Sequence, residues 1–111
     1  MAGMTLRFYV GPLLLALALP CAAHAAARPA VHTVVIEGMQ FVPAELTVNA
    51  GDTVVWKNKD AFPHTATSSG KGFDSKAIAA GRSWKFVAAK RGAFPYLCTL
   101  HRTMKGALTV K

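Results

Sequence analysis

The chain has 111 residues, a length enough for one domain. Thirteen Lys and Arg against five Asp and Glu give a formal net charge of +8. No basic run exceeds two residues, so the excess lacks the clustered form of a nucleic-acid face and points to acidic partner surfaces or anionic membrane.

Residues 1–27 read as a secretory signal peptide. Arg7 supplies the positive start, and Val10 to Leu19 form an apolar stretch interrupted by Gly11 and Pro12. Small residues follow in Ala23-His24-Ala25 and Ala25-Ala26-Ala27. A membrane-spanning helix needs about 20 apolar residues. Pro12 and Pro20 bracket a shorter stretch, so cleavage near Ala25 to Ala27 is expected, with no stable membrane insertion. Pro20 before Cys21 argues against a lipid-modified cysteine, and Cys21 and His24 leave with the leader.

The remaining domain, residues 28–111, is near the lower end for a self-sufficient core. It keeps twelve Lys and Arg against the five acids, and one cysteine, Cys98. An intrachain disulfide is then impossible. A free thiol in an oxidising compartment is a liability unless a metal occupies it or the fold buries it.

Short alternating segments between turn residues fill this domain, with no sustained helical period. The expected strands are Val31 to Glu37, Glu45 to Val48, Thr53 to Lys57, His64 to Thr67, Ser83 to Val87, Phe94 to Cys98 and Ala107 to Val110. Met39 to Pro43 reads as an irregular link, and Asn49-Ala50-Gly51-Asp52 and Lys90-Arg91-Gly92 as turns. Phe73 to Ala80 is either loop or one helical turn. Seven short strands indicate an all-β sandwich or barrel, with Trp56, Trp84, Phe86 and Phe94 in its core.

The chemistry lies in Cys98-Thr99-Leu100-His101-Arg102-Thr103-Met104, taken with His64 in Phe62-Pro63-His64-Thr65. Spacing of three lets the ligands of a turning loop converge, while His64 comes from a separate strand pair. Two imidazoles, a thiolate and a weak thioether suit one copper ion cycling between Cu(I) and Cu(II). No open coordination position is implied, so the site reads as a one-electron carrier and not an enzyme. Alone, His64 would be a surface or core histidine and Met104 a core methionine; their joint spacing makes them ligands. His32 lacks such company and reads as a surface residue.

Zinc is the first rival, but structural zinc takes four Cys or His donors, and Met is not a natural fourth. A Cys–His nucleophile would need a base and an orienting group, for which Asp60 or Asp74 has no recognisable context. A c-type haem needs a second cysteine before the histidine.

These motifs resemble the cupredoxins, and within them the amicyanin, plastocyanin and pseudoazurin branches. The resemblance runs from Met39 to Val48, through Gly51 to Asn58 and Asp60 to Thr65, to Gly92–Cys98 and His101–Gly106. It implies a Greek-key β-sandwich with type 1 copper at one end. His64, Cys98 and His101 would be the equatorial ligands and Met104 the axial one. His101 would pass electrons at the surface, within an apolar docking patch of Phe62, Pro63 and Leu100. Thr65 stands where many relatives carry an Asn that stitches the ligand loops together. Arg102 replaces a proline.

The function expected is that of a periplasmic, monomeric one-electron carrier. Its basic surface, with Arg102 and Lys105 beside the site, calls for an acidic redox partner such as a cytochrome or dehydrogenase. The alternative is copper buffering or delivery, whose mark would be extra Met or His near the site; only Met39 and His32 are available.

Overall fold

Alternation of β-branched and polar residues turns Val34 and Ile36 of β1 (Val31–Ile36) inward, and Val54 and Trp56 of β4 (Thr53–Asn58) beside them. The structure, a computed structural model, describes residues 2–18, 28–70 and 72–111. β1 and β4 pair in parallel from Val31 opposite Thr53 to Ile36 opposite Asn58. β2 (Phe41–Val42) flanks β1, and β6 (Ser83–Val87) flanks β4 with Trp84 opposite Trp56, completing the order β2-β1-β4-β6.

The second sheet has the order β3-β8-β7-β5. Here β3 (Glu45–Val48) runs parallel to β8 (Lys105–Val110). β7 (Gly92–Leu97) is antiparallel to β8, and β5 (Thr67–Ser68) is antiparallel to β7. The two sheets form the expected all-β, Greek-key sandwich.

Val34, Ile36, Val54 and Trp56 from one sheet meet Val48, Tyr96, Leu108 and Val110 from the other. A fully buried Val or Ile stabilises the fold by about 1.5–3 kcal/mol. Tyr96 packs edge-on against Phe41 and Trp56, at ring separations of 4.8 and 5.5 Å. Its ring also crosses Gly106, its cross-strand partner, where a Cβ would overlap the phenol. That glycine therefore answers a packing need.

Two segments depart from the sequence reading, and a third, readable as loop or helical turn, is loop. Phe41–Val42 pairs with β1 inside the link predicted to be irregular. His64 to Thr67 does not form a strand: His64 makes one bridge with Ile78, and regular pairing begins at Thr67. The amides decide this, because Thr65 N–H goes to Cys98 Sγ and Ala66 N–H to Ser75 Oγ. Phe73 to Ala80 holds no helical turn. Its backbone groups are used across the gap, with Ser68 N–H on Phe73 O, Ser75 N–H on Ala66 O and Ile78 N–H on His64 O.

Residues 2–18 form no helix or strand and bury none of their side chains. Cys21, His24 and the cleavage region lie outside the described residues. No helix among the described residues is long and apolar enough to cross a membrane.

Candidate metal centre

Three connections meet at one end of the sandwich: β1 to β2, β4 to β5, and β7 to β8. His64 belongs to the second and is fully buried. Two backbone bonds to Ile78, of 3.1 and 2.7 Å, fix its main chain. Cys98 follows β7 directly and is also fully buried. The loop after it closes on itself. Met104 N–H donates to His101 O at 2.9 Å, and Cys98 N–H donates to Met104 O at 3.1 Å. Met104 is buried as well, whereas the His101 ring is half-exposed.

The donor atoms converge. His64 Nδ1 and His101 Nδ1 lie 3.2 Å apart, and Cys98 Sγ lies 3.8 and 3.9 Å from them. A point equidistant from the three lies roughly 2.1 Å from each, which is the length of a metal–imidazole bond and slightly under that of a metal–thiolate bond. His64 Nε2 faces Asp60 Oδ2 at 2.8 Å, which turns the other ring nitrogen, Nδ1, into the triangle. Three donor atoms converging this closely are placed to hold one metal ion, and an imidazole–imidazole–thiolate set fits copper. Among the described residues this is the only cluster of His, Cys or acids arranged for a metal. Only Met104, three residues past His101, remains as a fourth donor from the loop, which does not suit structural zinc.

Hydrogen bonds around the donors are extensive. Thr65 N–H donates to Cys98 Sγ at 3.3 Å, a contact that stabilises charge on the sulfur. Thr65 Oγ1 accepts the Thr99 amide at 2.9 Å and lies 3.1 Å from the Thr99 hydroxyl. Thr65 thus spans the gap between the loop that carries His64 and the loop that carries Cys98. Burial pushes the Asp60 carboxyl up, but the amides of Met39 and Gly38, with His64, outweigh it and hold the group below its usual range.

Phe62 and Leu100 are 61% and 52% exposed, and Pro63, Arg102 and Lys105 are exposed as well. His32 is not a free surface group. It bonds Asp52 Oδ2 at 2.9 Å, at the start of β4 and thus a strand's length from the cluster. Asp60 is the site residue that sequence reasoning missed, having weighed it only as a partner for a nucleophile. Asn58 is another. Buried completely, it donates to Phe62 O and Ile78 O and shapes the loop into His64. A possible signal was an amide residue closing β4 just ahead of an acid and a Pro-His pair.

The model of a cupredoxin-like domain matches residues 10–110. Amicyanin of Paracoccus versutus is 32% identical over 94 residues, covering 78% of this chain and 70% of that one. The solved structure of an amicyanin point mutant in the Cu(I) form superposes with a TM-score of 0.69 at 26% identity, over 73% of this chain and 82% of the other. A copper-containing nitrite reductase from Thermus scotoductus superposes at 0.68 and 27% identity, but the match spans 72% of this chain and only 22% of that one. Fold and donor set define a copper-binding β-sandwich. The chain belongs to the cupredoxin family, and copper is its cofactor.

Proposed function

We propose that this chain is an exported one-electron carrier in which His64, Cys98 and His101 would hold a single copper ion, with Met104 as a weak fourth donor. The observation that carries this reading is the convergence of His64 Nδ1, His101 Nδ1 and Cys98 Sγ within 3.2 to 3.9 Å of one another. When bound, copper supplies a one-electron Cu(I)/Cu(II) couple.

The protein's part is to keep its donors still and dry. Buried His64, Cys98 and Met104 exclude water, and the Thr65–Thr99 and His64–Asp60 bonds limit ligand movement between oxidation states. Of the four donors His101 alone reaches towards solvent, and it is the route by which electrons enter and leave; Phe62, Pro63 and Leu100 on the two loops are exposed as well. Four protein donors leave no place for a substrate, so the chain is a carrier and not an enzyme. Cupredoxin domains do occur within enzymes, as in that much longer nitrite reductase.

Residues 1–27 act as the leader and 28–111 as the working domain, in keeping with the structureless, fully exposed 2–18 segment. The location is the periplasm, and the domain works as a monomer. Arg102 and Lys105 beside the site favour an acidic redox partner, a cytochrome or dehydrogenase.

The test is the visible spectrum of the 28–111 domain after addition of Cu(II), beside Cys98→Ser. Intense visible absorbance in the wild type and none in the variant supports thiolate ligation; a colourless protein with bound copper rejects it. One observation favours copper handling as a second reading. Met39, 39% exposed, lines the same cavity of about 240 Å³ as Met104. Slow self-exchange with readily removed copper would favour handling, and fast exchange with retained copper a carrier.

A further inference from the structure

Asp60 supplies no donor to the cluster, yet three separate groups converge on its side chain. Oδ2 lies 2.8 Å from His64 Nε2 and accepts Met39 N–H at 3.0 Å, while Oδ1 accepts Gly38 N–H at 2.8 Å. Its backbone is fixed in turn, because Asp60 N–H donates to Asn58 Oδ1 at 2.9 Å.

The Gly38-Met39 turn is shaped to meet this carboxylate. Gly38 and Met39 have φ of 64° and 59°, two successive left-handed residues. Left-handed backbone is unfavourable for Met, and here it turns consecutive amides onto one anion. The side chain is 13% exposed, so the charge is little screened. An ionised carboxylate can only accept, so His64 Nε2 donates to it; in the neutral ring this leaves Nδ1 bare towards Cys98 and His101. Two amide donors and the His64 ring, shared between the two Asp60 oxygens, are the partners that suit a carboxylate acting as acceptor only.

We propose that Asp60 is a positioning residue of the metal centre: it locks His64 in the Nε2–H form with Nδ1 turned to the metal, and its negative charge, one imidazole away, favours Cu(II) over Cu(I). The second half rests on the copper reading; the first is a property of the metal-free protein. The rival role is a staple for the 38–39 turn, which would move neither the tautomer nor the potential.

Nitrogen NMR of the wild-type apoprotein at neutral pH reads the tautomer directly. His64 is expected as Nε2–H; an Nδ1–H or mixed ring would overturn the proposal. This measurement stands whether or not copper binds, so failure of the copper reading is seen separately. In the copper-loaded protein, Asp60→Asn should shift the Cu(II)/Cu(I) equilibrium about tenfold towards Cu(I), or about 59 mV for one electron. A shift below threefold, or towards Cu(II), would overturn the charge argument. If Asp60→Asn does not fold, the wild-type tautomer decides alone.

Discussion

Thr65 and Thr99 join the two ligand loops: the Thr99 amide donates to Thr65 Oγ1 at 2.9 Å, and the hydroxyls lie 3.1 Å apart. Thr65 follows His64 and Thr99 follows Cys98, so this pair sets the separation of the first two donors. Thr65 is buried, and its Oγ1 also lies 3.0 Å from the Thr67 hydroxyl. Thr65→Val keeps the shape and removes the acceptor. Such a loss costs about 1 kcal/mol, and copper should escape to a chelator faster, whereas Thr65→Ser should behave like the wild type. Denaturant unfolding of the apoprotein and chelator-driven copper loss check this. Wild-type behaviour of Thr65→Val in both would show that the stitch is idle.

Met104 is buried in the fold and is proposed as the fourth copper donor, two roles that substitution separates. It is 2% exposed, so truncation to Ala should destabilise the apoprotein by about 2–5 kcal/mol through the cavity left behind. Met104→Leu conserves volume and should cost less than about 1.5 kcal/mol. Both remove a donor whose electrons stabilise the more highly charged ion, so both should raise the copper potential. Apoprotein unfolding and voltammetry together read the split. A Met104→Leu protein with unchanged potential would mean that the thioether is core packing and not a ligand.

Asp52 gives the fold an acid limit at the end of β4 remote from the donors. The His32 hydrogen bond, then the amides of Ala30 and Asn49, hold its carboxyl below the usual range, against a smaller opposing effect of burial. A carboxyl depressed in the fold and ordinary in the unfolded chain stabilises the fold above about pH 4. That contribution drains as pH falls further, because the unfolded chain then takes up protons more readily. Asp60 and Asp74 are depressed too and add to the same limb. Asp52→Asn should lower stability at neutral pH and flatten the fall below pH 4, read by apoprotein unfolding from neutral to acidic pH. An unchanged acid limb would assign it to the other carboxyls.

The sequence was most legible where one rule dominated. Period-two alternation marked β1, β3, β4 and β6 to within a residue or two. The two spacings of three from Cys98 to Met104 marked the loop that the structure closes with its own backbone bonds. It was least legible where side chains take backbone partners. Residues 64–67 look like a strand, but Cys98 Sγ and Ser75 Oγ claim the amides of Thr65 and Ala66. Asp60 was hidden for a different reason. Its meaning depends on Gly38 and Met39, more than twenty residues upstream, whose left-handed turn no spacing rule reveals.

Arg102 directly follows the partly exposed His101 and Lys105 opens β8, both exposed, with no acidic residue between Cys98 and Lys111. Charges at a docking rim act on encounter more than on the lifetime of a complex. Oxidation of the reduced protein by a small anionic complex should therefore slow as salt rises, because the screening length falls from about 10 Å at 0.1 M to about 3 Å at 1 M. A cationic oxidant should show the opposite trend. Reversing both charges, with Arg102→Glu and Lys105→Glu together, should slow the anionic reaction at low salt and leave it near wild type at high salt. If the double variant matches the wild type at low ionic strength, electrons do not leave beside these residues, and the His101 end is not the docking face.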